Sequence, residues 1–250
     1  MSHCYFYYNG VFMEALSIIG LCAAAYVIGS IPFAQLFVSL FKKGTDLSAT
    51  GTKENCGYNA WISAGPLAGT LTTIFALAKP GSVILLSYYW TGWNIKDDLF
   101  LIMLMCTVVL IGQMFSTFNS FKGSDGYSTA FGTFLFLSPA YAAVSALLFI
   151  PALLKKDAAE RNRLVYLISL ITVPFCGILF LAGSFIPWGI FGWNISALLS
   201  PSADTFVITA AFSLLWALGI FLRRTLMFDS CPLKREGAIK LIINKGLYNI

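Results

Sequence analysis

Charge is scarce in this chain. Asp, Glu, Lys and Arg make up 11% of its 250 residues, against about 25% in an ordinary soluble domain. With 58% hydrophobic and 16% aromatic residues, there is too little polar surface to cover a water-soluble fold. Lipid removes that difficulty, because apolar side chains facing it are at no disadvantage. Histidine is almost absent: the single His3 excludes a Ser-His-Asp or His-Asp catalytic set. The six cysteines form no CxxC pair, so no metal site is expected and they read as free thiols in a helix bundle. No basic segment precedes the first apolar stretch, as a signal peptide would require. The net charge of +5 is modest and lies in loops, which excludes nucleic-acid binding and points to membrane orientation. The length suits one polytopic membrane domain over residues 1–250, with an N-terminal extension at 1–14 and a cytoplasmic tail at 223–250.

A membrane-crossing helix needs about 20 apolar residues. Residues 16–41, 60–78, 99–118, 164–188 and 205–222 meet that need. Residues 82–90 are too short to cross alone. They either extend the second helix beyond a break at Lys79-Pro80-Gly81 or lie at the interface. Two shorter runs, 127–138 and 140–154, are split at Ser138-Pro139 and read as a hairpin of two short helices. The fold class is therefore an all-α integral membrane protein of about seven transmembrane or half-spanning helices. With the N-terminus outside, Lys42, Lys43, Lys53, Lys122, Lys155, Lys156, Arg161 and Arg163 fall in inner loops. Arg223, Arg224, Lys234, Arg235, Lys240 and Lys245 then lie in an inner tail. This bias places the C-terminus in the cytoplasm and the chain in the cell (plasma) membrane as a multi-pass protein. One long span in place of the hairpin would move the loop at 122–125 outside.

Two inner loops keep polar residues. Residues 44–59 read GTDLSATGTKENCGYN, and residues 119–129 read NSFKGSDGYST. Each joins Gly to small hydroxyl residues and a lysine. Glycine permits close backbone approach and positive φ, and successive backbone N–H groups can surround phosphate oxygens. Plain glycine-rich turns between membrane helices share this composition.

The stretch GSIPFAQL at 29–36 resembles the first motif of the bacterial membrane glycerol-3-phosphate acyltransferases that use acyl phosphate. Asp46, Gly51, Thr52 and Asn59 follow at that family's spacing, and Lys79 and Gly81 match a later lysine and glycine. Gly112, Phe115, Phe121, Lys122, Gly123, Gly126, Thr129 and Gly132 resemble its second motif, and Arg163 and Ser169 its third. The family's seven-helix fold and outside N-terminus agree with the charge count. The chain departs from the pattern in places. Ser48 stands for an arginine, Gln113 for a histidine, Ser124 for a glycine and Asp125 for a lysine. Glu54 stands in ungapped register for an asparagine, and Ala76 for an aspartate. The histidine and asparagine expected after the last helix have no clear counterpart. The arginine and lysine changes alone shift the local charge by about −3, which matters beside a phosphate.

The resemblance implies transfer of an acyl group from acyl phosphate to glycerol-3-phosphate or a related acceptor in phospholipid synthesis. It implies no cofactor and no covalent enzyme intermediate. The implied partners are membrane lipids, acyl phosphate and a polyol phosphate or other small acceptor. On these matches substrate binding falls to Ser30, Thr52, Lys53, Asn59, Lys122, Gly123, Gly126, Arg163 and Ser169. The chemistry falls to Asp125, Gln113 and Ser124. Gln113 could donate a hydrogen bond but not shuttle a proton, and Asp125 could act as a base toward a neutral acceptor or be a solvated loop carboxylate. Lys122 and Arg163 are equally explained as cytoplasmic anchors. The alternative is a non-catalytic descendant, a pseudoenzyme that binds lipid or a protein partner. A transporter has less support, because Lys79 is the lone charge in the spans.

Overall fold

A computed structural model describes residues 2–45, 47, 54–93, 98–137, 139–154, 164, 167–168, 171–176, 178–179 and 203–229. These residues are helical with short connections: α1 (Ser2–Ser30), α2 (Phe33–Phe41), α3 (Gly57–Ala64), α4 (Pro66–Thr91), α5 (Leu99–Met114), α6 (Tyr127–Leu137), α7 (Pro139–Ala146), α8 (Ile150–Leu153) and a C-terminal helix, Ala203–Asp229. Four described stretches are long and apolar enough to cross a membrane: Ala15–Phe41, Pro66–Thr91, Leu99–Asn119 and Val207–Arg224. Leu16, Ile19, Leu67, Ile74, Val207 and Leu214 all lie exposed on these spans, a surface made for acyl chains rather than water. The protein is an all-helical integral membrane protein.

Proline and glycine set the breaks, though not always where the sequence pattern places them. Pro32 has no N–H and interrupts the first span between α1 and α2, leaving carbonyls at the end of α1 without helical partners. The break expected at Lys79-Pro80-Gly81 does not occur. Helix α4 runs through Pro80 to Thr91, so residues 82–90 extend the second helix. The break lies earlier, at Gly65, whose φ of +94° separates α3 from α4 and leaves Pro66 at the start of the new helix. The span expected at 60–78 is therefore two helices. The expected hairpin is present: the rings of Tyr127, opening α6, and Phe149, after α7, are 6.3 Å apart. A single helix would separate them by about 33 Å at ~1.5 Å per residue. Most of the expected span 164–188 lies outside the described residues, and its residues 171–176 are helical.

Small residues bring backbones into contact where the site forms. A Cβ on Gly29 would lie 2.2 Å from the Val109 carbonyl oxygen, and one on Gly112 would lie 2.5 Å from that of Tyr26. Helices α1 and α5 thus cross backbone against backbone. Gly132 of α6 meets α4 in the same way, 2.3 Å from the Leu77 carbonyl oxygen. The main core joins Met103, Cys106 and Leu110 of α5 to Phe134 of α6, Val173, Cys176, and Trp216 and Ile220 of the C-terminal helix. Trp216 Nε1 donates to Thr107 Oγ1 at 2.9 Å. That bond fixes the C-terminal helix along α5 and carries Arg223 and Arg224, two turns later, to the end where α5 stops.

Candidate active site

The two glycine-bearing loops meet at one end of the bundle. Asn55 N–H donates to the Gly123 carbonyl at 3.4 Å, while Asn55 Oδ1 accepts from the Gln35 N–H at the start of α2 at 3.2 Å. Asn59, fully buried, donates its side-chain amide to the Glu54 carbonyl at 2.7 Å and holds the turn before α3. Thr52 and Lys53 lie outside the described residues, as do Arg163 and Ser169.

The second loop folds back onto the end of α5. Gly123 N–H donates to the Met114 carbonyl at 3.2 Å, and Ser124 N–H to that of Gln113 at 3.0 Å. Only glycine fits at 123, where a Cβ would sit 2.0 Å from the Gln113 carbonyl oxygen. Gly126 has φ +82°, which favours glycine and turns the chain into α6. Lys122 is exposed.

Beneath the loops runs a buried polar line. Lys79 Nζ donates to the Gly29 carbonyl at 2.6 Å, to that of Ile31 at 2.8 Å and to Gln113 Oε1. Gly29 and Ile31 both lie just before Pro32, at the negative end of α1, where a basic group belongs. Gln113 Nε2 in turn donates to Ser124 Oγ at 2.8 Å, which also accepts from the Gly126 N–H at 3.3 Å. With its oxygen receiving two donors, the Ser124 hydroxyl directs its own proton elsewhere. Ser30 sits against this line. Its carbonyl accepts from Ser116 Oγ, and its buried hydroxyl has no hydrogen-bond partner among the described residues. Lys79 matches a family lysine in sequence but carries no site role there; its signal is an isolated lysine in an apolar run.

A charged cluster closes the site on the other side. Asp125 Oδ2 accepts from Arg224 Nε at 2.8 Å and from Arg224 Nη2, and its Oδ1 accepts from the Tyr127 N–H at 3.1 Å. This carboxylate faces a guanidinium rather than open solvent. Arg223 Nη2 donates to the Phe121 carbonyl at 3.4 Å, and its guanidinium lies 4.8 Å from the centre of the Phe115 ring. Burial, and then the negative charge of Asp125, push the Glu54 carboxyl up to about 8, against the pull of Arg224 and Arg223. On sequence, membrane orientation alone accounts for both arginines. Nothing local in the sequence links them to a loop about 100 residues earlier.

Residues 19–223 match the family model described as glycerol-3-phosphate acyltransferase. The chain belongs to this family. Among curated relatives it resembles glycerol-3-phosphate acyltransferase 1 of Dehalococcoides mccartyi, 30% identical over 60% of this chain and 71% of the relative. It also resembles glycerol-3-phosphate acyltransferase 2 of Bacillus anthracis, 33% identical over 52% of this chain and 65% of the relative. Across such relatives the matched share falls to one third of the length. A solved structure of PlsY (YgiH), an integral membrane glycerol 3-phosphate acyltransferase in its glycerol 3-phosphate form, shares the fold. It has a TM-score of 0.64 and 20% identity, over 91% of this chain and 99% of that one. In this acyltransferase-family member, two departures from the family pattern touch each other as Gln113 and Ser124. A third, Asp125, is answered by Arg224.

Proposed function

We propose that this chain transfers an acyl group from an acyl phosphate to glycerol-3-phosphate or a related small acceptor, in phospholipid synthesis at the cytoplasmic face of the cell membrane. The observation that carries the reading is the Asn55–Gly123 contact, which joins both glycine-bearing loops into one polar site at the end of α5. Attack of the acceptor hydroxyl on the acyl carbonyl forms the new ester bond. The acyl–phosphate bond breaks, phosphate leaves, and the hydroxyl proton passes to the medium or to phosphate. Such a reaction needs placement and charge stabilisation more than a covalent partner.

The roles follow from the bonds each group already makes. Ser124 donates its free proton to the developing oxyanion, while Gln113, held by Lys79, fixes that hydroxyl. Asp125 serves by holding Arg224; base chemistry there would first have to break charge-assisted hydrogen bonds. Gly123 and Gly126 let the backbone approach the phosphate, and Asn59 keeps the facing turn in shape. Ser30, Thr52, Lys53, Lys122, Arg163 and Ser169 are assigned to substrate binding by their family positions. Steady-state assay of detergent-purified protein tests this reading. Ser124→Ala is expected to lower kcat by about 10²-fold, as loss of one oxyanion donor does, with KM little changed. An unaltered kcat in that variant would remove Ser124 from the chemistry.

A further inference from the structure

Among the described residues, the charged cluster holds one buried donor without an acceptor. Arg224 is committed to Asp125 by its Nε and Nη2. Its neighbour Arg223, about 100° round the same helix, points at the loop instead. Among the described residues its hydrogen bond is the long one to the Phe121 carbonyl, at 3.4 Å. Its Nε is buried and has no hydrogen-bond partner among the described residues, although the Glu54 carboxyl is near enough to act on the guanidinium charge. A buried donor left in that state costs free energy unless an acceptor arrives. The guanidinium plane is also set in advance. Phe115 lies beneath it, and the Phe121 carbonyl reaches it because Ser120 and Phe121 adopt φ values of +50° and +60°. Bulky residues rarely adopt such angles, and they concentrate at functional segments.

Among the described residues of the cluster, Arg223 is the guanidinium best placed to meet an incoming anion. Lys122 is exposed to solvent, and the Arg224 charge is answered by Asp125. The family's arginine and lysine are replaced by Ser48 and Asp125. The C-terminal helix supplies two guanidiniums to the same end of the bundle. We propose that Arg223 is a specificity residue that receives the phosphate group of the site's anionic substrate, with Asp125 and Arg224 acting as the brace that positions it. This rests on the acyl-transfer reading of the same site. A planar guanidinium suits the task because it presents paired donors to two phosphate oxygens. Phosphate could come from the acceptor or from the acyl donor, and the chemistry at Arg223 is the same.

The test uses the full chain in detergent, as wild type, Arg223→Gln and Arg223→Lys. Thermal unfolding is followed against inorganic phosphate, and KM is measured separately for acyl phosphate and glycerol-3-phosphate. Phosphate is expected to raise the wild-type midpoint, with at least tenfold weaker apparent affinity in Arg223→Gln and an intermediate value in Arg223→Lys. A tenfold rise in KM for glycerol-3-phosphate, with kcat within about threefold, assigns the acceptor's phosphate. The same rise for acyl phosphate assigns the donor's. The proposal is overturned if phosphate stabilises Arg223→Gln as well as wild type, or if both variants lose kcat with both KM values unchanged. If the wild type forms no product, the acyl-transfer reading fails, and the phosphate titration still decides the role of Arg223.

Discussion

Removing the Arg224 side chain isolates what the brace contributes. The side chains of Arg224 and Asp125 are 7% and 16% exposed, so little water is available to replace a lost partner. Arg224→Gln would leave Asp125 with the Tyr127 N–H and with Glu54 as a carboxyl neighbour. Breaking a buried pair typically costs 3–5 kcal/mol, and the partial exposure here brings the expectation to about 2–4 kcal/mol. At roughly 2–4 °C per kcal/mol for a chain of this length, the melting midpoint should fall by about 5–15 °C. Asp125→Asn alone should cost a similar amount, because it leaves the guanidinium unanswered. The double variant Asp125→Asn/Arg224→Gln should recover much of the loss, giving a coupling of about 2 kcal/mol in a double-mutant cycle. Differential scanning fluorimetry of the four proteins in one detergent reads this directly. Additive losses, with coupling inside about 0.5 kcal/mol, would refute the claim that the pair braces the loop against the C-terminal helix.

Two more consequences concern other parts of the site. Lys79→Met should destabilise the chain by about 2–4 kcal/mol, since it strips a buried hydrogen-bond donor from the Gly29 and Ile31 carbonyls and from Gln113. Its kcat should fall further than in a surface lysine variant outside the site, such as Lys42→Met, and equal stability of the two proteins would count against the capping role. Glu54, with its carboxyl held near 8 against an ordinary value near 4.5, binds a proton in the folded state that the unfolded chain has lost. Its contribution therefore lets stability decline as pH rises from about 4.5 to about 8 and flatten above. Glu54→Gln should abolish that slope in midpoint-against-pH curves, and an unchanged slope would mean that Glu54 is ordinarily ionised.

Much of the bundle was legible because lipid imposes a simple rule on sequence. Long apolar runs marked the first, third and last described spans, and Ser138-Pro139 marked the hairpin. Proline was a poorer guide in α4. Its missing N–H is tolerated where the helix is packed on neighbours, and Gly81, beside Pro80, lies against the Phe136 ring. The real break, Gly65-Pro66, was hidden inside an apolar run. In the site, the glycines were readable because close approach demands them: Gly29, Gly112 and Gly123 all lack room for a Cβ. The partners were not readable. Gln113 meets Ser124 only because the loop folds back on α5. Arg224 reaches Asp125 only because Trp216 fixes the last helix against Thr107. Lys79 finds its acceptors only after Pro32 has freed them.

Acyl transfer at the joined loops is tested most directly by counting both products in one reaction. Detergent-purified chain, given acyl phosphate and glycerol-3-phosphate, should release one phosphate for each lysophosphatidate formed, and release should stay at the uncatalysed rate without the acceptor. Phosphate release that proceeds without ester formation, or no turnover with any polyol phosphate offered, would contradict the account.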